Sequence, residues 1–212
     1  IMQIAVPEAM VSLDDSADVV TSGVVPPSIN ALCIGPGLGQ DERTVQWLCR
    51  FLEKNSQPLV LDADALNILS EHHELFDFIA GKAILTPHLG ELARLIGPTA
   101  NGLERIEKSL LLAAKHDVVV VIKGAHSSVI APDGNVYFNS TGNPGMAKGG
   151  SGDVLAGLIA GFLAQGFSRE SATRQAVYYH GAAGDHAKKA LGEHSIMASD
   201  LLHSLPQVIC NA

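Results

Sequence analysis

Short runs of apolar residues alternate along the chain with longer segments in which apolar residues recur every three or four positions. A short apolar run suits a strand that is buried on both faces of a sheet, whereas the wider spacing is typical of a helix with one buried face. Strands are therefore predicted at residues 2–6, Leu32–Ile34, Leu59–Leu61, Ala83–Leu85 and 118–122. Their alternation with helices predicts an α/β fold, in which a mostly parallel sheet lies between two helical layers.

Helices and one hairpin account for the rest of the pattern. Asp41 can cap the first long helix, which is predicted to end near residue 54. Further helices are predicted at about 66–69, 88–96, 103–115, 153–165, 169–191 and after residue 199. Apolar segments on either side of Pro132-Asp133-Gly134-Asn135 predict a β-hairpin. Because no linker or repeat interrupts this pattern, residues 1–212 are predicted to form a single domain.

Composition narrows the possible functions. The net charge of −8 without any basic run argues against nucleic-acid binding. No apolar stretch reaches the roughly 20 residues that a membrane-spanning helix needs. The cysteines lack the spacing of a metal site, so we expect buried thiols in a protein of the reducing cytoplasm. They are Cys33, Cys49 and Cys210.

A cluster of glycines precedes the helix predicted at 153–165. Closely spaced glycines let successive amides point at one ligand, and a helix N-terminus adds about half a positive charge, which together predict a phosphate-binding loop. Asp153 follows in the first turn, where its carboxylate could accept a proton from a hydroxyl that attacks a phosphoryl group. The alternative is that Asp153 only caps the helix and that the glycines serve packing. The glycines are Gly142, Gly145, Gly149, Gly150 and Gly152.

The segment from Asn143 to Gly157 also resembles a known family. Asn-Pro-Gly-Met-Ala-Lys-Gly-Gly-Ser-Gly-Asp-Val-Leu-Ala-Gly is similar to the signature of the ADP- or ATP-dependent NAD(P)H-hydrate dehydratases, repair enzymes of the ribokinase-like superfamily. Related kinases share Gly-x-Gly-Asp but usually lack the Asn-Pro-Gly-Met lead-in, and Lys148 stands where a small or hydroxylated residue is more common. The resemblance implies a ribokinase-like three-layer α/β/α sandwich with Asp153 as the catalytic residue, which also contacts the substrate. It assigns nucleotide binding to Gly150, Ser151 and Gly152.

Two further motifs follow predicted strands, at the edge where parallel sheets bind ligands. Gly35-Pro36-Gly37-Leu38-Gly39 would by itself be a plain turn, but it resembles a family segment that lines the substrate site and so implicates Gly37 and Gly39. Asp62-Ala63-Asp64-Ala65-Leu66-Asn67 matches another such segment and adds Asp62 and Asn67. From the residues alone, the acidic pair indicates either metal or phosphate-water binding or the capping of a helix by Asp64.

Thr86-Pro87-His88-Leu89-Gly90-Glu91 places a histidine and a glutamate three residues apart in the first turn of a helix. A zinc pair would need a third ligand, and none is evident. From the residues alone, His88 is either functional or an exposed capping residue. The resemblance assigns His88 to the nicotinamide substrate and Glu91 to Mg²⁺, which it would bind through water.

Lys123 follows the strand at 118–122 and begins Lys123-Gly124-Ala125-His126-Ser127. A lone lysine at a strand end is usually a solvated cap. This segment matches the nucleotide-binding Lys-Gly-Ala-His of the family, which implies that Lys123 neutralises nucleotide phosphates. Gly124, Ala125, His126 and Ser127 would wrap the ribose and phosphate.

His180 lies on a predicted helix face that is rich in small residues, and we interpret it as a packing residue. The pairs Gly157/Gly161 and Gly181/Gly184 are interpreted in the same way, as positions where two helices approach closely. The other histidines show no mutual spacing that indicates a site.

The resemblance spans about residues 1–207 and implies the dehydration of hydrated NADH or NADPH, with ADP or ATP as co-substrate and Mg²⁺ as cofactor. It also implies a homotetramer. One alternative is a kinase of a vitamin precursor, such as a hydroxymethylpyrimidine or thiazole alcohol, against which His88 and the Asn-Pro-Gly-Met lead-in argue. Another alternative is a non-catalytic nucleotide-binding subunit.

The family has an additional βα unit before the segment matched here by residues 1–7, and a glycine-rich turn of that unit contributes to the substrate site. We therefore expect the fold to lack this first βα unit, with one sheet edge uncovered. We also expect the chain to be part of a longer polypeptide, which in some relatives includes a fused epimerase domain.

Overall fold

The computed structural model describes residues 2–23, 25, 26 and 28–210. Its strands are β1 (Leu32–Ile34), β2 (Leu59–Leu61), β3 (Ala83–Leu85), β4 (Val119–Ile122), β5 (Ser128–Ile130) and β6 (Val136–Phe138). Its helices are α1 (Met2–Ala5), α2 (Glu42–Lys54), α3 (Asp64–Glu71), α4 (Phe76–Ile79), α5 (Leu89–Ile96), α6 (Gly102–His116), α7 (Ser151–Ala164), α8 (Arg169–Leu191) and α9 (Ala198–Ile209). Single 3₁₀ turns lie at His73–Leu75, Pro144–Met146 and Glu193–Ser195.

The strands of the described residues form one sheet, in which they lie in the order of the sequence. β1 to β4 are parallel, whereas β5 pairs antiparallel with both β4 and β6. Every residue of β2, β3 and β4 is buried, as expected for parallel strands that are covered on both faces. The predicted parallel sheet and the hairpin after it are both confirmed.

Helices cover both faces of this sheet. Parallel strands that advance in one direction through right-handed crossovers leave their connecting helices on a single face. Helices α2 to α6 accordingly pack on one face around Leu61, Leu85 and Val120. Helices α7 and α8 pack on the other face around Val60, Ile84 and Val121. The predicted three-layer α/β/α arrangement is therefore confirmed.

The prediction of a strand at residues 2–6 is wrong, because Met2–Ala5 form the short helix α1. The Val6 amide donates to the Met2 carbonyl at a distance of 2.8 Å, so the backbone is satisfied locally. Ile4 is 89% exposed. A strand needs a neighbouring edge, and residues 2–6 pair with no strand among those that the structure describes.

The expectation of buried cysteines is wrong for two positions. Cys33 lies on the edge strand β1 and Cys210 follows α9, and both are exposed, whereas Cys49 is half-buried. β1 pairs only with β2 in the described chain, which leaves its outer flank open. Within the same described residues, no helix is both long enough and apolar enough to span a bilayer.

Candidate active site

The charged residues of the site extend from the ends of two strands that lie on either side of β3. Asp62 directly follows β2 and Lys123 directly follows β4, so the parallel sheet brings both side chains to its carboxyl edge. Lys123 Nζ lies 2.7 Å from Asp62 Oδ1, and Asp62 is only 1% exposed. Because an uncompensated buried carboxylate is costly, the ammonium group is what permits an aspartate here.

His88 caps α5 and is fixed in one tautomer. Its Nδ1 accepts hydrogen bonds from the amides of Gly90 (3.0 Å) and Glu91 (3.3 Å), while Glu91 Oε2 accepts from the His88 amide at 2.8 Å. Since Nδ1 is an acceptor, the proton of the neutral ring is on Nε2, which lies 3.1 Å from Glu91 Oε1. The capping interpretation is correct, and it is compatible with a functional one because 56% of the side chain remains exposed.

Glu91 links this histidine to the buried ion pair. It is 5% exposed, and its Oε2 lies 4.0 Å from Lys123 Nζ. The Lys123 ammonium therefore lies between the carboxylates of Asp62 and Glu91. The charged side chains after β2 and β4 and in the first turn of α5 thus lie in one row.

The glycine-rich loop reaches the same place. Gly150 precedes α7 with φ of +86°, a left-handed conformation that favours glycine. A Cβ atom on Gly152 would lie 3.4 Å from Lys123 Nζ and 3.9 Å from Asp62 Oδ2. The N-terminus of α7, with its partial positive charge, therefore adjoins the ion pair.

Asp153 lies in the first turn of α7 with its side chain exposed. It makes no hydrogen bond or ion pair within the described part of the chain, and no side chain caps α7. The alternative in which Asp153 caps the helix through its side chain is therefore wrong. Its carboxylate also acts on Cys33. Desolvation first, and then the charges of Asp62 and Asp153, raise the pKa of the Cys33 thiol to about 11, while Lys123 opposes them.

A cavity of about 920 Å³ opens beside the loop. Eight of the predicted site residues line it, namely His88, Lys123, Gly124, Ala125, His126, Ser127, Ser151 and Gly152. The other predicted residues lie outside its lining, and they are Gly37, Gly39, Asp62, Asn67, Glu91, Gly150 and Asp153. The cavity therefore unites the lysine segment, the glycine loop and the histidine. Of the remaining residues, Gly150 and Asp153 belong to the start of α7, and the others to the segments that follow β1, β2 and β3.

The loop after β1 is tied to the end of β2. A Cβ atom on Gly35 would lie 1.7 Å from the carbonyl oxygen of Asp62, so only glycine fits there. The Gly39 amide donates to Asp64 Oδ2 at 2.9 Å. Asp64 thus anchors this loop, and the interpretation of Asp64 as a helix cap is wrong, because Ala63 is the N-cap of α3 and no side chain caps it.

Gly37 and Asn67 have separate surroundings. Gly37 is exposed, with φ of +67° and open space where a Cβ atom would be. Asn67 Oδ1 accepts a hydrogen bond from Arg94 of α5 at 2.8 Å. The asparagine therefore connects α3 to α5 beside the site.

Sequence reasoning misassigned the residues of α8 that face the loop. Cβ atoms on Gly181 and Gly184 would lie 2.2 Å from Thr141 Oγ1 and 2.1 Å from Met146 Sδ, so these glycines accommodate the loop and not a helix. His180 lies in the cavity wall, which differs from its predicted role as a packing residue. The helical pattern alone carries no signal for these contacts, since their partners are distant in sequence.

The helix-packing interpretation of the glycines in α7 is wrong as well. A Cβ atom on Gly157 or on Gly161 would have no atom from outside α7 within 4 Å. No helix packs closely on either position in the described structure.

Several known proteins are similar to this chain in sequence. The family model described as NAD(P)H-hydrate dehydratase matches residues 2–207. The chain is 45% identical over 185 residues to the bifunctional NAD(P)H-hydrate repair enzyme Nnr of Moorella thermoacetica, covering 86% of this chain and 35% of that protein. It is 41% identical over 169 residues to the ADP-dependent (S)-NAD(P)H-hydrate dehydratase of Neisseria meningitidis serogroup B, covering 77% of this chain and 57% of the relative.

A solved structure is also similar to this chain. The ADP/ATP-dependent NAD(P)H-hydrate dehydratase of Bacillus subtilis, co-crystallised with ATP/Mg²⁺, superposes with a TM-score of 0.72 at 35% identity, covering 86% of this chain and 64% of that one. The chain spans about a third of the Moorella enzyme and just over half of the Neisseria enzyme. The family model covers nearly all of its residues, and the chain belongs to the NAD(P)H-hydrate dehydratase family.

Proposed function

We propose that the chain dehydrates hydrated NADH or NADPH and consumes ADP or ATP in doing so. The observation that carries the proposal is the unpaired carboxylate of Asp153. Its neighbour in the chain, Gly152, lines the cavity that Lys123 also lines. A protein that only bound nucleotide would need the lysine and the loop, but it would have no use for an unpaired carboxylate beside them. The names of the relatives support the same activity.

The chemistry explains why a nucleotide is consumed. Hydroxide is a poor leaving group at neutral pH, so the ring hydroxyl is first phosphorylated. Asp153 accepts the hydroxyl proton as the oxygen attacks the terminal phosphorus, and the bond from phosphorus to the nucleotide breaks. Phosphate then leaves while the neighbouring ring carbon loses a proton. The products are the dihydronicotinamide, inorganic phosphate and a nucleotide with one phosphate fewer.

The loop and the lysine stabilise the charge that develops on the transferred group. The amides of Gly150, Ser151 and Gly152 belong to the N-terminus of α7 and are fixed before the reaction, so they need no reorganisation. Lys123 adds a full positive charge at the same place. We assign the nucleotide to these residues and to Gly124, Ala125, His126 and Ser127.

The substrate side is assigned to the residues along the strand ends. His88 presents the exposed part of its neutral ring to the cavity and is proposed to contact the nicotinamide. Asp62 is buried and bonded to Lys123, so we propose that it affects substrate binding by holding the ammonium in place. Gly37, Gly39 and Asn67 complete the proposed substrate side.

The residues present fit a magnesium ion that arrives with the nucleotide. Mg²⁺ usually keeps several waters and binds through one or two carboxylates together with substrate phosphates. Both oxygens of Glu91 already contact His88, and we propose that Glu91 holds the ion through water. When bound, Mg²⁺ would neutralise phosphate charge.

Domain organisation and assembly stay predictions. We propose a single domain over residues 1–212 and a homotetramer. Light scattering in solution would measure the assembly, and limited proteolysis would test the domain.

A coupled assay tests the proposed activity. Hydrated NADH is incubated with ADP or ATP and Mg²⁺, and recovery of absorbance at 340 nm is followed together with phosphate release. We expect both signals to rise in equal amounts. Asp153→Asn is expected to lower kcat about a thousandfold, the usual scale for loss of a general base, with nucleotide affinity nearly unchanged.

The control variant is Asp77→Asn, an exposed aspartate in the first turn of another helix, which should leave kcat unchanged. A stable phosphoester product without recovery at 340 nm would instead indicate a kinase. Tight nucleotide binding without any turnover would contradict the proposal in favour of a binding subunit.

A further inference from the structure

Helix α8 runs along the glycine-rich loop and bonds to it near both ends. At the beginning of the loop, Asp185 Oδ2 accepts from the Gly142 amide at 2.9 Å, and its Oδ1 accepts from Asn143 Nδ2 at 3.0 Å. At the end of the loop, His180 Nε2 lies 2.9 Å from the carbonyl oxygen of Ser151. We infer that Asp185 and His180 are positioning residues that set the geometry of the anion-binding loop. The inference rests on the proposed function of that loop.

Asp185 acts on the loop through Asn143. The side chain of Asn143 donates to Asp185, and its own Oδ1 accepts from the Gly145 amide at 3.1 Å, which starts the 3₁₀ turn Pro144–Met146. Hydrogen bonds to an ionised acceptor are stronger than neutral ones. The carboxylate therefore orders two successive parts of the loop from one point on the helix.

Small residues bring the helix close enough for this contact. Gly181 and Gly184 place the backbone of α8 directly against Thr141 and Met146. Glycine inside a helix lowers helix stability by about 1 kcal/mol relative to alanine. The close contact between α8 and the loop explains why two glycines occur in this helix despite that cost.

His180 holds the other end of the loop. A carbonyl oxygen can only accept, so Nε2 carries the proton and donates to Ser151, the first residue of α7. Burial is the main cause that lowers the pKa of His180 to about 4, and the Lys123 charge lowers it further. The ring is therefore neutral at pH 7 and fixes the start of α7 without adding a charge beside Lys123.

The loop needs such support because of its composition. Five glycines from residue 142 to residue 152 give the backbone wide conformational freedom. Stabilising a phosphoryl group during its transfer instead requires amides that point at the group before the reaction begins. Contacts from a 23-residue helix provide that rigidity.

A reciprocal exchange tests the role of Asp185. Asp185→Asn sets an amide NH₂ group against one of the two donors, the Gly142 amide or Asn143 Nδ2, and Asn143→Asp sets two carboxylates against each other. The double variant restores all three hydrogen bonds. Its new amide at position 185 can accept from Gly142 and donate to the new carboxylate at position 143, which still accepts from Gly145. We expect each single variant to lower kcat at least tenfold and to speed hydrogen–deuterium exchange of the loop amides at least tenfold. The double variant should return to within about threefold of the wild type in both measurements.

His180 is tested by a pair of substitutions. His180→Gln keeps an N–H donor near the position of Nε2, whereas His180→Leu removes it. We expect the leucine variant to exchange the amides of 149–152 faster and to lose about tenfold in kcat, with the glutamine variant close to wild type. His186→Leu is the control, since this exposed histidine of α8 contacts Ser204 of α9 and not the loop.

The outcomes separate the inference from the proposed function. Loop exchange and nucleotide affinity are measured without turnover, so an inactive wild type would contradict the dehydratase proposal and leave the test of the loop intact. Wild-type loop exchange in both Asp185→Asn and His180→Leu would overturn the inference. So would a double exchange variant as impaired as the single ones, because a contact that served only overall stability would not be rescued by swapping its two groups.

Discussion

Two aspartates of the site differ in their surroundings, and the difference separates their roles. Asp62 is buried and bonded to Lys123, whereas Asp153 is exposed and unpaired within the described structure. A carboxylate that is already bonded to a lysine is a poor proton acceptor, while a free one at a helix N-terminus can serve as a base. This contrast supports the assignment of the general base to Asp153.

His180 gives the fold a predictable response to acid. Its folded-state pKa of about 4 lies below the ordinary value of 6.5, so the unfolded chain binds more protons between these values. The contribution of His180 to stability is therefore complete above pH 6.5 and is lost as the pH falls towards 4. The shift corresponds to about 3 kcal/mol.

Chemical unfolding of the wild type and of His180→Gln at several pH values from 4.5 to 7 measures this contribution. We expect the free energy of unfolding to fall more steeply with acid in the wild type than in the variant. The same slope in both proteins would contradict the assignment. His186→Gln, at an exposed position of the same helix, is the matched control.

Residues next to strand ends were predictable, and residues inside helices were not. Lys123 and His88 follow strands whose carboxyl ends must meet at one edge, so their convergence follows from the alternation of elements. His180 and Asp185 lie within α8, and their partners are 29 and 42 or 43 residues away. Helical periodicity shows that such residues share a face, but it does not show what the face contacts.

At the scale of elements, the sequence pattern predicted the strands from β1 onward and most of the helices. The sequence pattern for the strands was strong because every residue of β2, β3 and β4 is apolar. Such a continuous apolar run is typical of a strand that is covered on both faces. The pattern failed at residues 2–6, since strand formation there depends on a neighbouring edge that local sequence does not specify. It also failed for the small residues of α7 and α8, which look alike in the sequence and differ in their neighbours.

Two glycine substitutions distinguish these small residues. Gly157→Ala, on an open face of α7, should raise the free energy of unfolding by up to about 1 kcal/mol because alanine has the higher helix propensity. Gly181→Ala should lower it despite the same gain, because the new Cβ atom would lie 2.7 Å from backbone atoms of Thr141. Urea unfolding of both variants measures the difference. Equal changes in the free energy of unfolding at the two positions would contradict the close contact between α8 and the loop.

At the scale of the whole molecule, the site is the place where both helical layers meet the carboxyl edge of the sheet. α5 supplies His88 and Glu91 from one layer, and α7 supplies the loop terminus and Asp153 from the other. β1 adds the thiol of Cys33, which responds to both Asp62 and Asp153 although it lies on the open edge strand. This thiol can therefore report on the placement of Asp153 in the absence of any ligand.

The rate at which the Cys33 thiol is alkylated measures the effect of these charges on its pKa. The pKa of Cys33 is raised from 9.0 to about 11, so the thiolate fraction at pH 8 falls about a hundredfold. A more basic thiolate is also more nucleophilic, which increases the rate constant of each thiolate about tenfold. We expect Cys33 to react with iodoacetamide about tenfold more slowly than an unperturbed exposed thiol, as followed by peptide mass spectrometry. Asp153→Asn removes one of the charges that raise this pKa and should speed the reaction, whereas Asp77→Asn should not. An unchanged rate in Asp153→Asn would contradict the expected action of the Asp153 charge on the Cys33 thiol.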